Sequence, residues 1–169
     1  MDDVRATITE LYDRAFLMTG SRREAYTRVK STISTAALAG SGLGLVALTG
    51  IVARAVAKNG TAQRSSSLLD DLLRRDVADP RRASNMEAPI DALAGDARRT
   101  CLAFVLGCLA PQLRVVFVLT DVCEYAPAQA AALLEISEGA CRVRLARARR
   151  GVDEFVLPGR RCSCSGTTR

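Results

Sequence analysis

The chain of 169 residues contains no histidine and no tryptophan, and its aromatic share is only 4%. Without histidine the commonest general base is missing, and no nucleophile–base pair or carboxylate dyad at helical spacing replaces it. An enzyme is therefore not expected. With so few aromatic rings, a core must be built from Ala, Leu, Val and Ile. Long period-two runs of β-branched residues are also missing, while the Ala and Leu that are abundant favour helix. These absences predict an all-α fold.

Strongly apolar runs are scarce as well. Ser31 to Ala53 carries no charge between Lys30 and Arg54, and its 23 residues are long enough to span a bilayer. Gly40, Gly42, Gly44 and Gly50 dilute it, however, and spans are richer in Leu, Ile and Phe. Two buried helices joined around Gly40–Gly44 are expected instead, and a membrane-attached protein using residues 31–53 is the competing class. The same glycines do not make a phosphate loop, because no Lys-Ser/Thr follows them. The acidic opening Met1-Asp2-Asp3 is not that of a secretory signal, so a cytoplasmic location is expected.

What is present is ordinary for a folded soluble protein, with 49% hydrophobic and 25% charged residues. The net charge of +6 is unevenly spread. Five Arg stand against one Glu between Glu138 and Arg150, whereas residues 61–90 balance to zero. Solvated faces usually mix both signs, so this stripe points to a polyanion. Of the six cysteines, Cys101, Cys108, Cys123 and Cys141 stand singly in apolar surroundings. They read as small buried residues in a reducing compartment.

Along the chain, Val4, Ile8, Leu11, Ala15 and Met18 recur at helical spacing. Thr19-Gly20-Ser21 breaks that pattern, and Ser21 with Glu24 forms a capping box for a second helix. Asn59-Gly60, Ser65-Ser66-Ser67, Asp79-Pro80 and Ala88-Pro89 are turn or linker chemistry, with a short amphipathic helix predicted over Leu68 to Val77. From Ile90, a stripe of Leu93, Ala97, Cys101, Phe104 and Cys108 predicts a helix that ends at Ala110-Pro111. Pro111 then opens a helix from Gln112 to Cys123, with Leu113, Val116, Phe117 and Thr120 on one side. The resulting organisation is two small helical domains joined by a linker: residues 1–58, a linker at 59–89, a helix-turn-helix domain at 90–156, and a Cys-containing tail at 157–169.

The helix-turn-helix lies between Ala126 and Arg150. Ala126 or Pro127 opens a short helix, Glu135-Ile136-Ser137 is a three-residue turn, and Ser137 caps the next helix. At 100° per residue, Cys141, Leu145, Ala148 and Val152 form one apolar stripe. Arg142, Val143, Ala146, Arg147 and Arg150 fall on the opposite face, with Arg144 and Arg149 on the flanks. A helix anchored on one side, and basic with small residues on the other, suits a major groove. Its flanking Arg suit phosphates. A basic surface helix of a plain bundle has the same pattern.

Leu109 to Val122 and the helix-turn-helix after it resemble region 4 of the extracytoplasmic-function (ECF) sigma factors. The resemblance rests on Arg114, Val116, Phe117, Leu119, Asp121, Ala131, Leu134, Ile136, Ser137, Gly139, Arg144, Leu145, Arg147, Ala148 and Arg149. It implies a bacterial sigma factor in which this unit holds the minus-thirty-five promoter element, with Arg142, Val143, Ala146 and Arg147 facing the groove. Ser137, Arg144, Arg149 and Arg150 complete the DNA-binding set. The implied partners are promoter DNA, the RNA polymerase core and an anti-sigma factor. One departure is Glu135, where the family usually has Gly; a left-handed conformation there would be strained.

Leu11 to Ala25 is similar to the start of region 2 of the same family. The acidic residues that follow in the family, which grip polymerase, are replaced here by Ala25-Tyr26-Thr27-Arg28-Val29-Lys30-Ser31. Val46-Ala47-Leu48 stands where the family has a Trp-Leu pair, and Val46 cannot stack on a base. The N-terminal half is thus a degenerate region 2, and a DNA-binding regulator that does not melt promoters is the alternative to a sigma factor. In the tail, Cys162-Ser163-Cys164 is similar to the start of the metal-sensing tails of some members. No cofactor is required by this reading. Two thiolates would suit a soft metal ion such as Cu(I) or a redox dithiol, and an unstructured tail without a role fits equally well.

Overall fold

The computed structural model describes residues 2–38, 40, 44–59 and 90–156. Every regular element among them is helical. Helix α1 spans Asp2–Thr19, α2 Arg22–Leu38 and α3 Leu45–Asn59. After residues 60–89 come α4, Ile90–Leu106, and α5, Pro111–Phe117. Helix α5 runs on into one wider turn of π-helix at Val118–Val122. Helix α6, Pro127–Leu134, and α7, Glu138–Val156, form the helix-turn-helix.

Local chemistry explains the breaks. Gly20 sits at φ +71°, a left-handed conformation that ends α1 and turns the chain into α2. Ser21 Oγ accepts the Glu24 N–H at 3.3 Å, which is half of the expected capping box. The other half is replaced: the Ser21 N–H donates to Thr19 Oγ1 at 3.3 Å, and the Glu24 carboxylate pairs with Arg28 at 3.2 Å. Pro111 and Pro127 each start a helix, where an amide proton has no intrahelical partner to lose. Val115 and Val116 are helical despite their β-branched side chains, and the helix widens from Val118.

The uncharged stretch is split as expected: α2 ends at Leu38 and α3 begins at Leu45. The expectation of two buried helices holds better for α3, whose Leu48, Thr49, Gly50, Val52, Ala53 and Val56 are buried. No helix among the described residues is long and apolar enough to cross a membrane.

Helices on both sides of residues 60–89 share one core. Helix α1 packs on α2, α3, α4 and α5, while α3 also packs on α5 and α6. Leu11, Ala15, Met18, Val52, Val56, Leu106, Val115, Val116 and Leu119 are all nearly inaccessible within it. Two expected stripes are corrected in part. Val4 and Ile8 are 64% and 41% exposed, so the apolar face of α1 is covered only from Leu11 onward. On α4, Cys101 is exposed, and the inward residues are Thr100, Ala103 and Leu106. The packing of α1 against α4 selects that face, because the last six residues of the helix, Cys101 to Leu106, are all apolar and leave periodicity unable to do so.

Arg114 is the largest fully buried side chain among the described residues, at 1% exposure. Its guanidinium donates to the carbonyls of Leu106, Thr19 and Leu109, each at 2.9 Å, and more weakly to Gly107 at 3.5 Å. Those carbonyls lie at the ends of α1 and α4, where the helix dipole is negative. Burial pulls the Arg114 pKa below its usual range, an effect opposed by the Cys108 thiol and Glu24. Gly20 makes room for this group: a Cβ there would lie 3.1 Å from Arg114 Nη1.

Candidate nucleic-acid interface

Helix α6 is set by its ends. The Ala126 N–H donates to Gln129 Oε1 at 3.0 Å, and Pro127 follows as the first helical residue. Ala130, Ala131 and Leu134 turn inward. The helix closes in a Schellman arrangement, with Ile136 N–H on the Ala131 carbonyl at 3.1 Å and Glu135 N–H on Ala132 at 3.2 Å. This places Glu135 at φ +55°, ψ +43°, the strained left-handed conformation expected from the missing glycine.

Arg54 of α3 stands over that turn. Its Nη1 donates to the Leu133 carbonyl at 2.7 Å, and its Nε lies 3.4 Å from Glu135 Oε1. Gly50, one turn earlier on α3, takes the Leu133 side chain, whose Cδ2 would be 3.0 Å from an added Cβ. Glu135→Gly should relieve about 1–2 kcal/mol of left-handed strain. It should also lose an exposed ion pair worth about 0–1 kcal/mol and some backbone entropy. A small net gain, about 0.5 kcal/mol, or about 1–2 °C in a thermal melt, is the expected outcome. A lower melting temperature would mean that the Arg54 pair outweighs the strain.

Helix α7 begins with Ser137 Oγ accepting the Ala140 N–H at 3.2 Å, the cap expected there. Cys141, Leu145 and Ala148 are buried and Val152 is half-buried, as the helical wheel requires. Arg142, Val143, Ala146, Arg147 and Arg150 turn to the other side, and all five are exposed. The structure therefore brings these five together on one open face. Arg142 folds back on Glu138, with Nε at 3.0 Å and Nη2 at 2.5 Å from Oε1. Arg147 makes no ion pair among the described residues.

The two flanks differ. Arg149 makes a two-pronged pair with Asp121 of the π turn, Nε to Oδ2 at 3.0 Å and Nη2 to Oδ1 at 2.6 Å. That hydrogen bond also raises the Arg149 pKa above its usual range. Arg144, half-buried, lines an open groove of about 380 Å³ with Arg54, Lys58, Gln112 and Glu135. Local sequence points neither to Asp121 as the partner of Arg149 nor to α3 as the wall of this groove. Both depend on contacts between residues far apart in the chain.

Residues 99–150 match the family model Sigma-70, region 4. The matched segment starts within α4 and takes in α5, the π turn, α6 and α7 as far as Arg150. It therefore includes Asp121, Glu135 and the entire exposed cationic face. Sigma-70 region 4 is a DNA-binding transcription-factor domain, not an enzyme family. Helices α1 to α3 lie outside the sigma-70 region 4 match, and with them Arg54 and Lys58. No curated protein matches the chain.

Among the described residues the cysteines stand apart from one another and from any metal-binding group. Burial pushes the thiols of Cys108, Cys123 and Cys141 up, which makes them poor nucleophiles and poor ligands at neutral pH. No group of three or more Cys, Asp or Glu side chains suited to a metal ion occurs among the described residues. Cys162 and Cys164, the predicted soft-metal pair, lie outside the described residues, as does the predicted helix Leu68 to Val77.

Proposed function

We propose that the protein is a sigma factor of the ECF type that directs RNA polymerase core to particular promoters, with α7 in the major groove of the minus-thirty-five element. The observation that carries this reading is the division of α7. Cys141, Leu145 and Ala148 anchor one side, and the other offers Arg142, Val143, Ala146, Arg147 and Arg150 to solvent. Small residues between the cations let the helix approach base edges closely. Ser137, Arg144 and Arg149 then lie where the phosphate strands would pass. In this reading the protein acts in the cytoplasm, and an anti-sigma factor is a further partner. Cys162 and Cys164 remain the proposed soft-metal pair.

A second reading is favoured by one specific observation. Helix α3, which the resemblance to region 2 would set where DNA is opened, carries no aromatic residue and packs on α6 through Gly50 and Arg54. A regulator that binds DNA without melting it accounts for both features. Run-off transcription separates the two readings. The full chain, added to core polymerase and a random promoter pool, yields enriched transcripts if the first is right. Enrichment of bound duplex without any transcript supports the second, and neither bound duplex nor transcript removes both.

A further inference from the structure

We propose that the groove between the end of α3 and the helix-turn-helix binds a phosphate of the duplex, so that the N-terminal helices grip the DNA strand beside the recognition helix. The inference rests on the DNA-binding reading of α7 and assigns residues outside the sigma-70 region 4 match. Five polar side chains line the groove: Arg54 and Lys58 from α3, Gln112 from α5, Glu135 from the turn and Arg144 from α7.

Charge within the groove does not balance. Arg54 and Glu135 pair with each other. Lys58 and Arg144 are left, two cations without an ion pair among the described residues. Gln112 adds an exposed amide donor beside them. Position adds a second argument. An α-helix nearly fills a major groove about 12 Å wide, so its two flanks face the two phosphate strands. On one flank the Arg149 guanidinium is already taken by Asp121. The other flank, at Arg144, opens into this groove. A phosphodiester there meets Arg144 from the recognition helix and Lys58 from the N-terminal unit. Arg54, tied to the Leu133 carbonyl, positions α3 so that Lys58 reaches the site.

The experiment measures affinity of the full chain for a duplex selected from a random pool, across roughly 0.05 to 0.2 M salt. Lys58→Gln is compared with Lys30→Gln, which removes an equal charge from an exposed position of α2. Lys58→Gln should weaken binding about 5- to 10-fold and make the logarithmic salt slope shallower by about 0.9, the share of one phosphate contact. Sequence preference should stay unchanged, and Lys30→Gln should match the parent. Equal effects of the two variants, or no effect of Lys58→Gln, overturn the groove assignment while leaving the DNA reading of α7 intact. Altered sequence preference in Lys58→Gln overturns it too, because the contact would then be to a base. If the unaltered chain binds no duplex, both this assignment and the reading beneath it fall.

Discussion

Arg114→Ala is expected to cost about 4 kcal/mol of folding stability, a large fraction of what a small domain possesses. The side chain is almost completely buried and meets no carboxylate. Its charge is instead balanced by two helix ends, each carrying about half a negative charge. Truncation leaves the carbonyls of Thr19 and Leu109 without donors, at about 1–3 kcal/mol each, and that of Leu106 with only the Leu109 N–H. Relief of the guanidinium's own desolvation, and water entering the space, return part of that. The net figure corresponds to about 8–16 °C in melting temperature. Arg114→Met keeps much of the volume and should lose nearly as much, because the carbonyls are still orphaned. Arg114→Lys should fall between, since an ammonium cannot reach both helix ends in the fork geometry of a guanidinium. Urea unfolding followed by circular dichroism reads all three. A loss under about 1 kcal/mol for the Ala and Met variants would show that these carbonyls are satisfied another way.

The double substitution Arg142→Ala and Arg147→Ala should lower affinity for the selected duplex about 100- to 1000-fold while leaving weak binding to unrelated duplex. A good side-chain contact to a base edge is worth about 1–3 kcal/mol of discrimination, and two are removed. Arg142 must first leave Glu138, but an exposed pair four residues apart on a helix is worth only about 0.3–0.5 kcal/mol. That pair is therefore a parking place for the guanidinium and not a lock. Both side chains lie on the outer face of α7, so thermal stability should change little. Fluorescence anisotropy against selected and scrambled duplexes distinguishes the outcomes. Equal loss on both duplexes would make these residues phosphate contacts, and unchanged binding to both would remove α7 from the interface.

The recognition helix is legible in the sequence because a single helix carries its own ruler. Cys141, Leu145 and Ala148 define the inner edge whatever lies opposite, and the outward-facing residues follow from them. The strain at Glu135 is legible too, from one residue that lacks the freedom of glycine. Long-range packing is not. Nothing near Arg114 in the chain announces that Thr19 will be its partner, and an Arg amid Leu113, Val115 and Val116 carries no local sign of burial. Cys101 shows the same gap from the other side. The end of α4, Cys101 to Leu106, is apolar on every side, and α1 decides which residues turn inward. In the bare sequence Gly50 is a flaw in an uncharged stretch; its use becomes visible only when Leu133 fills the space above it.

That small dent on α3 has a mechanical consequence. Sliding the two helices by one turn, about 5.4 Å, would bring Val46 or Arg54 under Leu133, each adding a side chain where Gly50 has none. The notch thus favours this seating over one shifted by a turn.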